Sequence, residues 1–145
     1  MSEPDLKHQQ LIAEANANIR KTQSSVQKDN LRPIFHMTPP TGWIGDPNGP
    51  IFYNNEYHVF YQHNPLTDPS LPPRHPAFEY PPHWGHASSK DLVHWKHWPV
   101  ALAPNHEGYD PWAASGYCVV HENIPTIIYT GLCTDEPDNS QDTSN

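Results

Sequence analysis

The most restrained carboxylate in the chain is that of Asp46, inside the run Thr41-Gly-Trp-Ile-Gly-Asp-Pro-Asn-Gly-Pro50. Pro47 fixes its own φ and biases Asp46 toward extended backbone, while Asn48-Gly49 can take the positive φ values of a tight turn. Two readings follow from these residues alone. Asp46 is either an ordinary turn residue in a hairpin connection or a carboxylate held still for use on a ligand. The eleven histidines raise metal coordination as a rival chemistry. His83/His86 and His94/His97 are each three apart, however, a spacing that puts the members of a pair on opposite faces of a strand. No Cys or third His follows at a regular interval, so neither a metal site nor a cofactor is expected.

The composition narrows the ligand. A chain of 145 residues suffices for one domain, and its formal charge of −8 argues against nucleic acid or an anionic membrane surface as partner. Eighteen prolines disfavour long helices, whereas five tryptophans and seven tyrosines suit short strands and flat or sugar-like ligands. The two cysteines, Cys118 and Cys133, are too few for a disulfide framework and are expected to be reduced, in or near strands. The N-terminus has no apolar signal-peptide core, and no Asn-x-Ser/Thr acceptor occurs, so the expected location is cytoplasmic. Nothing in the sequence speaks to oligomeric state.

The elements that must position Asp46 can be read in order. Residues 2 to about 28 predict a helix, with Ser2 and Asp5 at capping-box spacing, Pro4 in the first turn and Leu11, Ala15, Ile19 and Val26 along a thin apolar stripe. That stripe suits a helix lying on the surface of the main domain. Ile51–Tyr53, Asn54-Asn55 and Glu56–Gln62 predict a hairpin. A proline-rich loop over 66–82, a strand over 84–88, a turn at 89–92 and a strand within 93–102 complete four short antiparallel strands. A second set starts with strands at 116–121 and 126–130, joined by Glu122-Asn123-Ile124-Pro125. Four strands followed by two is how a radial repeat such as a propeller begins. The expected organisation is an N-terminal helical extension over 1–30, an all-β unit over 31–132 and a disordered acidic tail over 133–145.

Several stretches together resemble one family. Trp43-Ile-Gly-Asp-Pro-Asn-Gly49 resembles the Trp-Met-Asn-Asp-Pro-Asn-Gly signature of glycoside hydrolase family 32, the invertases and related β-fructosidases. Phe35–Gly42 resembles the lead-in to that signature, Tyr61-Gln-His-Asn-Pro65 its second strand, and His83–Trp95 the Trp-Gly-His strand and turn. Pro99–Pro104 fits as well, and Ala114-Ser115-Gly116-Tyr117 stands where the family has an aromatic residue followed by Ser-Gly-Ser.

The resemblance implies the first blade and part of the second of a five-bladed β-propeller, with a retaining hydrolase site in its central funnel. By analogy Asp46 is the nucleophile, and Trp43, Asn48, Gln62, Trp84 and Ser115 bind the substrate, a fructoside such as sucrose, sucrose 6-phosphate or a fructan. From the residues alone, Trp43 and Trp84 could equally be core aromatics, Gln62 could complete a strand pair, and Ser115 could satisfy local backbone groups. The absence of a signal peptide resembles the intracellular sucrose-6-phosphate hydrolases. The family's transition-state-stabilising Asp and acid/base Glu come from Arg-Asp-Pro and Glu-Cys motifs, and neither motif occurs in these 145 residues. General acid catalysis is worth about 10²–10⁴-fold, so this stretch alone is expected to be an inactive fragment. The alternative is a non-catalytic carbohydrate-binding relic of the same fold. Three positions depart from the family: Gly45 stands where it has Asn, and Ala114 and Tyr117 flank Ser115-Gly116 with altered side chains.

Overall fold

The computed structural model describes residues 3–33, 35–66, 82–104 and 112–132. Among the described residues one helix, α1 (Glu3–Val26), precedes six strands: β1 (Trp43–Tyr53), β2 (Glu56–Asn64), β3 (His83–Ser89), β4 (Lys96–Leu102), β5 (Trp112–His121) and β6 (Ile124–Leu132). The first four form an antiparallel sheet in the order β1-β2-β3-β4, and β5 and β6 form a separate hairpin. Ser2, the prolines between 67 and 81, Cys133 and the acidic tail lie outside the described residues.

The hairpin turns follow from residue chemistry. Asn54 and Asn55 have φ of 49° and 61°, and Glu122 and Asn123 have φ of 48° and 63°. Positive φ at both central residues makes turns of the primed type, whose twist matches that of the flanking strands. The β5–β6 connection is therefore shorter than its sequence suggests. Ile124 and Pro125 already belong to β6, opposite His121 and Val120. In the first sheet the turn after β3 is built by Asp91, whose Oδ1 accepts the N–H groups of Val93 and His94 at 2.9 and 2.8 Å. Those two donors and the His94 imidazole hold the Asp91 carboxyl well below the usual carboxylate range, the His94 N–H being the largest influence. Leu92 takes φ 63° there, and β4 starts only at Lys96.

The larger correction concerns residues 41–50. They do not form a turn: β1 runs straight through Asp46-Pro47-Asn48-Gly49-Pro50, with register irregularities between Ile44 and Pro47 and between Asn48 and Ile51. Pro47 cannot donate to a ladder, and it is tolerated because β1 is the edge strand of its sheet. Gly49, at φ 51°, absorbs one irregularity. A Cβ there would stand 2.7 Å from the Cys118 backbone N, so the absence of a side chain lets β1 approach β5 closely.

The core forms where the hairpin meets the sheet. Phe60 and Trp84 from β2 and β3 pack with Ala113 and Cys118 of β5, flanked by Ile51, Leu102, Ile127 and Tyr129. Trp84 is fully buried. On the other side of the sheet the Tyr61 ring covers Gly85, its cross-strand partner, filling the space that a side chain at 85 would occupy. The opposite edge, β4, is covered by α1. Asn16 Oδ1 accepts the Val100 N–H at 3.0 Å and His8 Nε2 accepts that of Ala103 at 3.2 Å, so outward-facing strand donors are satisfied by helix side chains. Of the helical stripe, Ala15 is buried, while Leu11, Ile19 and Val26 are partly exposed. No described helix is long and apolar enough to cross a membrane.

Candidate active site

Three strands converge on Asp46. The Asp46 side chain projects from β1 and is exposed, and its Oδ2 accepts the Ser115 hydroxyl of β5 at 3.1 Å. Ser115 Oγ in turn accepts Nε2 of Gln62, on β2, at 3.1 Å. One hydroxyl proton and one amide proton thus orient a chain of groups that ends on the carboxylate. Gln62 and Ser115 are 53 residues apart, and Ser115 and Asp46 are 69 apart. The link exists only because the hairpin docks on the sheet.

Asn48 fixes that docking. It is 2 % exposed, its Oδ1 accepts the N–H of Gly116 at 3.1 Å, and its Nδ2 donates to the carbonyl of Asp46 at 3.2 Å. A single amide therefore ties the backbone on either side of the Asp46–Ser115 contact. Trp84 works from beneath: its indole N–H donates to the carbonyls of Ala113 and Ala114, at 3.2 and 3.0 Å, immediately before Ser115. Trp84 is fully buried in the core, from where it locates the strand carrying Ser115. Trp43 is partly exposed and lies over Gly45, beside Gln62 Oε1. Gln62 does pair with Trp84 in the strand ladder, and its side chain also joins the polar chain. Tyr117 is 53 % exposed.

One residue of the site has no counterpart among the sequence expectations. His63 is completely buried, and its Nδ1 lies 2.9 Å from the carbonyl of Trp43. A carbonyl only accepts, so Nδ1 carries the proton and the ring anchors the start of β1. Desolvation lowers its pKa to about 4, opposed by the Trp43 hydrogen bond and reinforced by His97, so the ring is neutral near pH 7. The available signal was strand alternation: His63 shares a face with Tyr61 and Val59, the face turned away from Phe60 and Gln62. Among the described residues no group of His, Cys, Asp and Glu is arranged to hold a metal ion.

A fixed exposed carboxylate, flanked by a hydroxyl, an amide and an indole, can engage a small polyhydroxylated ligand and present an oxygen to an electrophilic carbon. Comparison with known proteins bears on which ligand. The chain is 40 % identical over 124 residues to a raffinose invertase of Escherichia coli, an alignment covering 81 % of this chain and 24 % of that protein. It is 46 % identical over 99 residues to a sucrose-6-phosphate hydrolase of Escherichia coli, covering 68 % of this chain and 19 % of that protein. A solved β-fructofuranosidase of Bombyx mori superposes with a TM-score of 0.73 at 34 % identity, covering 90 % of this chain and 25 % of that one. The chain thus spans about a quarter or less of the length of the relatives it matches. The N-terminal domain model of glycosyl hydrolases family 32 matches residues 36–145, a span that holds Asp46, Gln62 and Ser115, and the chain belongs to that family.

Proposed function

We propose that this chain is the first sheet and part of the second in a five-bladed propeller that cleaves β-fructofuranosidic bonds of sucrose, sucrose 6-phosphate or a fructan, with Asp46 as nucleophile. The observation that carries the reading is the Gln62–Ser115–Asp46 chain of hydrogen bonds, which joins strands from two sheets at one exposed carboxylate. In a retaining reaction Asp46 forms a bond to the anomeric carbon as the bond to the leaving oxygen breaks. An acid protonates that oxygen, and water then releases the sugar from the covalent intermediate. Ser115 orients the carboxylate through its hydroxyl, and Gln62 orients Ser115. The acid and the second stabilising carboxylate would be supplied from outside these 145 residues, which makes the chain a contributor of one wall and one catalytic group. Its location in the cell is proposed to be cytoplasmic, on the sequence alone.

Expression of the continuous reading frame, with and without Asp46→Asn, tests this. Sucrose hydrolysis should fall by about a thousandfold or more in the variant, with the circular-dichroism spectrum and thermal midpoint unchanged. Hydrolysis retained by a folded Asp46→Asn protein would remove Asp46 from the mechanism.

A further inference from the structure

The glycines of this molecule differ in what a side chain at each would meet. At Gly49 a Cβ would stand 2.7 Å from the Cys118 backbone N, and at Gly116 it would stand 2.3 Å from the Ile128 carbonyl oxygen. Backbone obstructs both positions. At Gly85 the obstacle is the ring of Tyr61, 2.3 Å away and itself 1 % exposed, with nowhere to move. Gly45 belongs to none of these classes. Its added Cβ would lie 2.3 and 2.8 Å from Cη2 and Cζ2 of Trp43 and 2.9 Å from Oε1 of Gln62. All three nearest atoms are the outer ends of partly exposed side chains. The backbone at Gly45 is outside the left-handed region, so an L-residue fits it without strain. What a side chain at 45 would meet is the indole and the amide, not backbone.

We propose that Gly45 is a positioning residue, whose missing side chain seats the Trp43 indole against the backbone beside Asp46 and against the Gln62 amide, and so sets the sugar-facing wall of the site. This rests on the proposed fructoside site and deepens it. With the indole seated, the space over residue 45 presents carbon to the ligand. A polar side chain there would both offer hydrogen bonds and drive the ring outward. The site of this chain therefore selects a sugar ring by apolar contact at the position where the family's Asn would meet it with an amide. A polar residue at 45 trades the first mode for the second, and an apolar one such as alanine loses the first without gaining the second.

Isotope-labelled 145-residue chain allows a direct test by NMR. In the wild type, nuclear Overhauser contacts are expected from the Trp43 ring protons to Gly45 Hα and to the Gln62 side-chain amide. Gly45→Ala should abolish the Trp43–Gln62 contact while leaving β2 and β3 amide shifts in place. Absence of the contacts in the wild type, or their persistence in a folded Gly45→Ala chain, would overturn the proposal. Should Gly45→Ala fail to fold, the Gly45→Ala/Trp43→Ala double variant must fold. A double variant that stays unfolded would put the constraint in the backbone and sink the idea. Fructose titration of the protein expressed from the continuous reading frame supplies the functional arm: Gly45→Ala should weaken binding by about tenfold, the scale of one lost aromatic contact, and add nothing in the Trp43→Ala background. Wild-type protein from that reading frame that binds no fructose would count against the proposed function, while the contacts of the indole would still decide the role of Gly45.

Discussion

The four-stranded sheet and the β5–β6 hairpin are built from similar residues but hold together differently. β3 is buried at six of its seven positions, and Tyr61, His63 and Trp84 are at most 1 % exposed. The hairpin instead leaves Val119, Val120, Ile124 and Ile128 between 38 and 63 % exposed and buries Ala113 and Cys118 against the sheet. An isolated two-stranded hairpin is marginal in water, so most of its order is borrowed through Trp84 and Asn48. The comparison matters for function because Asp46 and Gln62 belong to the sheet and Ser115 to the hairpin. The site is therefore a measure of docking.

Removing the core anchor should break the comparison most strongly. Trp84→Ala deletes a fully buried indole and both of its hydrogen bonds to Ala113 and Ala114, at an expected cost of about 3–5 kcal/mol. Hydrogen exchange should show β5 and β6 losing protection before β1–β3 do. Equal loss across all strands would mean that the two regions are one cooperative unit.

Acid probes the sheet from within. His63 has a pKa of about 4 when folded, against about 6.5 in an unfolded chain, so the unfolded state binds more protons between those values. The His63 contribution is then largest above about pH 6.5, falls as the pH drops toward 4 and levels off below, by about 3 kcal/mol. His86, whose pKa burial likewise lowers to about 4, adds a fall of the same sign over the same window. Urea denaturation at pH 7 and pH 4 measures the sum, and His63→Gln should remove the His63 share while that of His86 remains. A wild-type profile that is flat over that window would show His63 to be accessible to solvent.

The smallest effect isolates the seam. Asn48→Ala leaves the Gly116 N–H without its acceptor and should cost about 1–3 kcal/mol. Exchange of the Gly116 amide should accelerate while that of Tyr61, deep in the sheet, stays unchanged. An unaltered Gly116 would show that Trp84 alone is sufficient to dock the hairpin.

Much of the architecture was legible because it is local. The Asn54-Asn55 turn, the Asp91 turn and the alternation of β2 depend on residues within a few positions of one another, and the helix matches its predicted stripe to within two residues at each end. Residues 41–50 misled for the same reason. Pro-Asn-Gly carries the chemistry of a turn, but pairing with β2 on one side and close approach to β5 on the other draw it into an edge strand. Ile124-Pro125 was likewise absorbed into β6 once two residues proved enough for the turn. Asp46, Gln62 and Ser115 could be singled out by their ordered resemblance to a family, yet the hydrogen bonds among them could not.

By itself, then, the sequence determined the β-rich composition, the Asn54-Asn55 and Asp91 turns, the family and the identity of a restrained carboxylate, all of which are carried by residue types and short spacings. Only the tertiary structure decided that Asp46 lies on a strand, that Asn48 ties its backbone to Gly116, that a neutral His63 anchors Trp43, and that the indole of Trp43 occupies the space over Gly45. The Asn48–Gly116 and His63–Trp43 contacts depend on atoms brought within about 3 Å by packing across strands, and no local propensity encodes such distances. The motif around Asp46 names a carboxylate; the docking of a hairpin 69 residues away gives that carboxylate its partner.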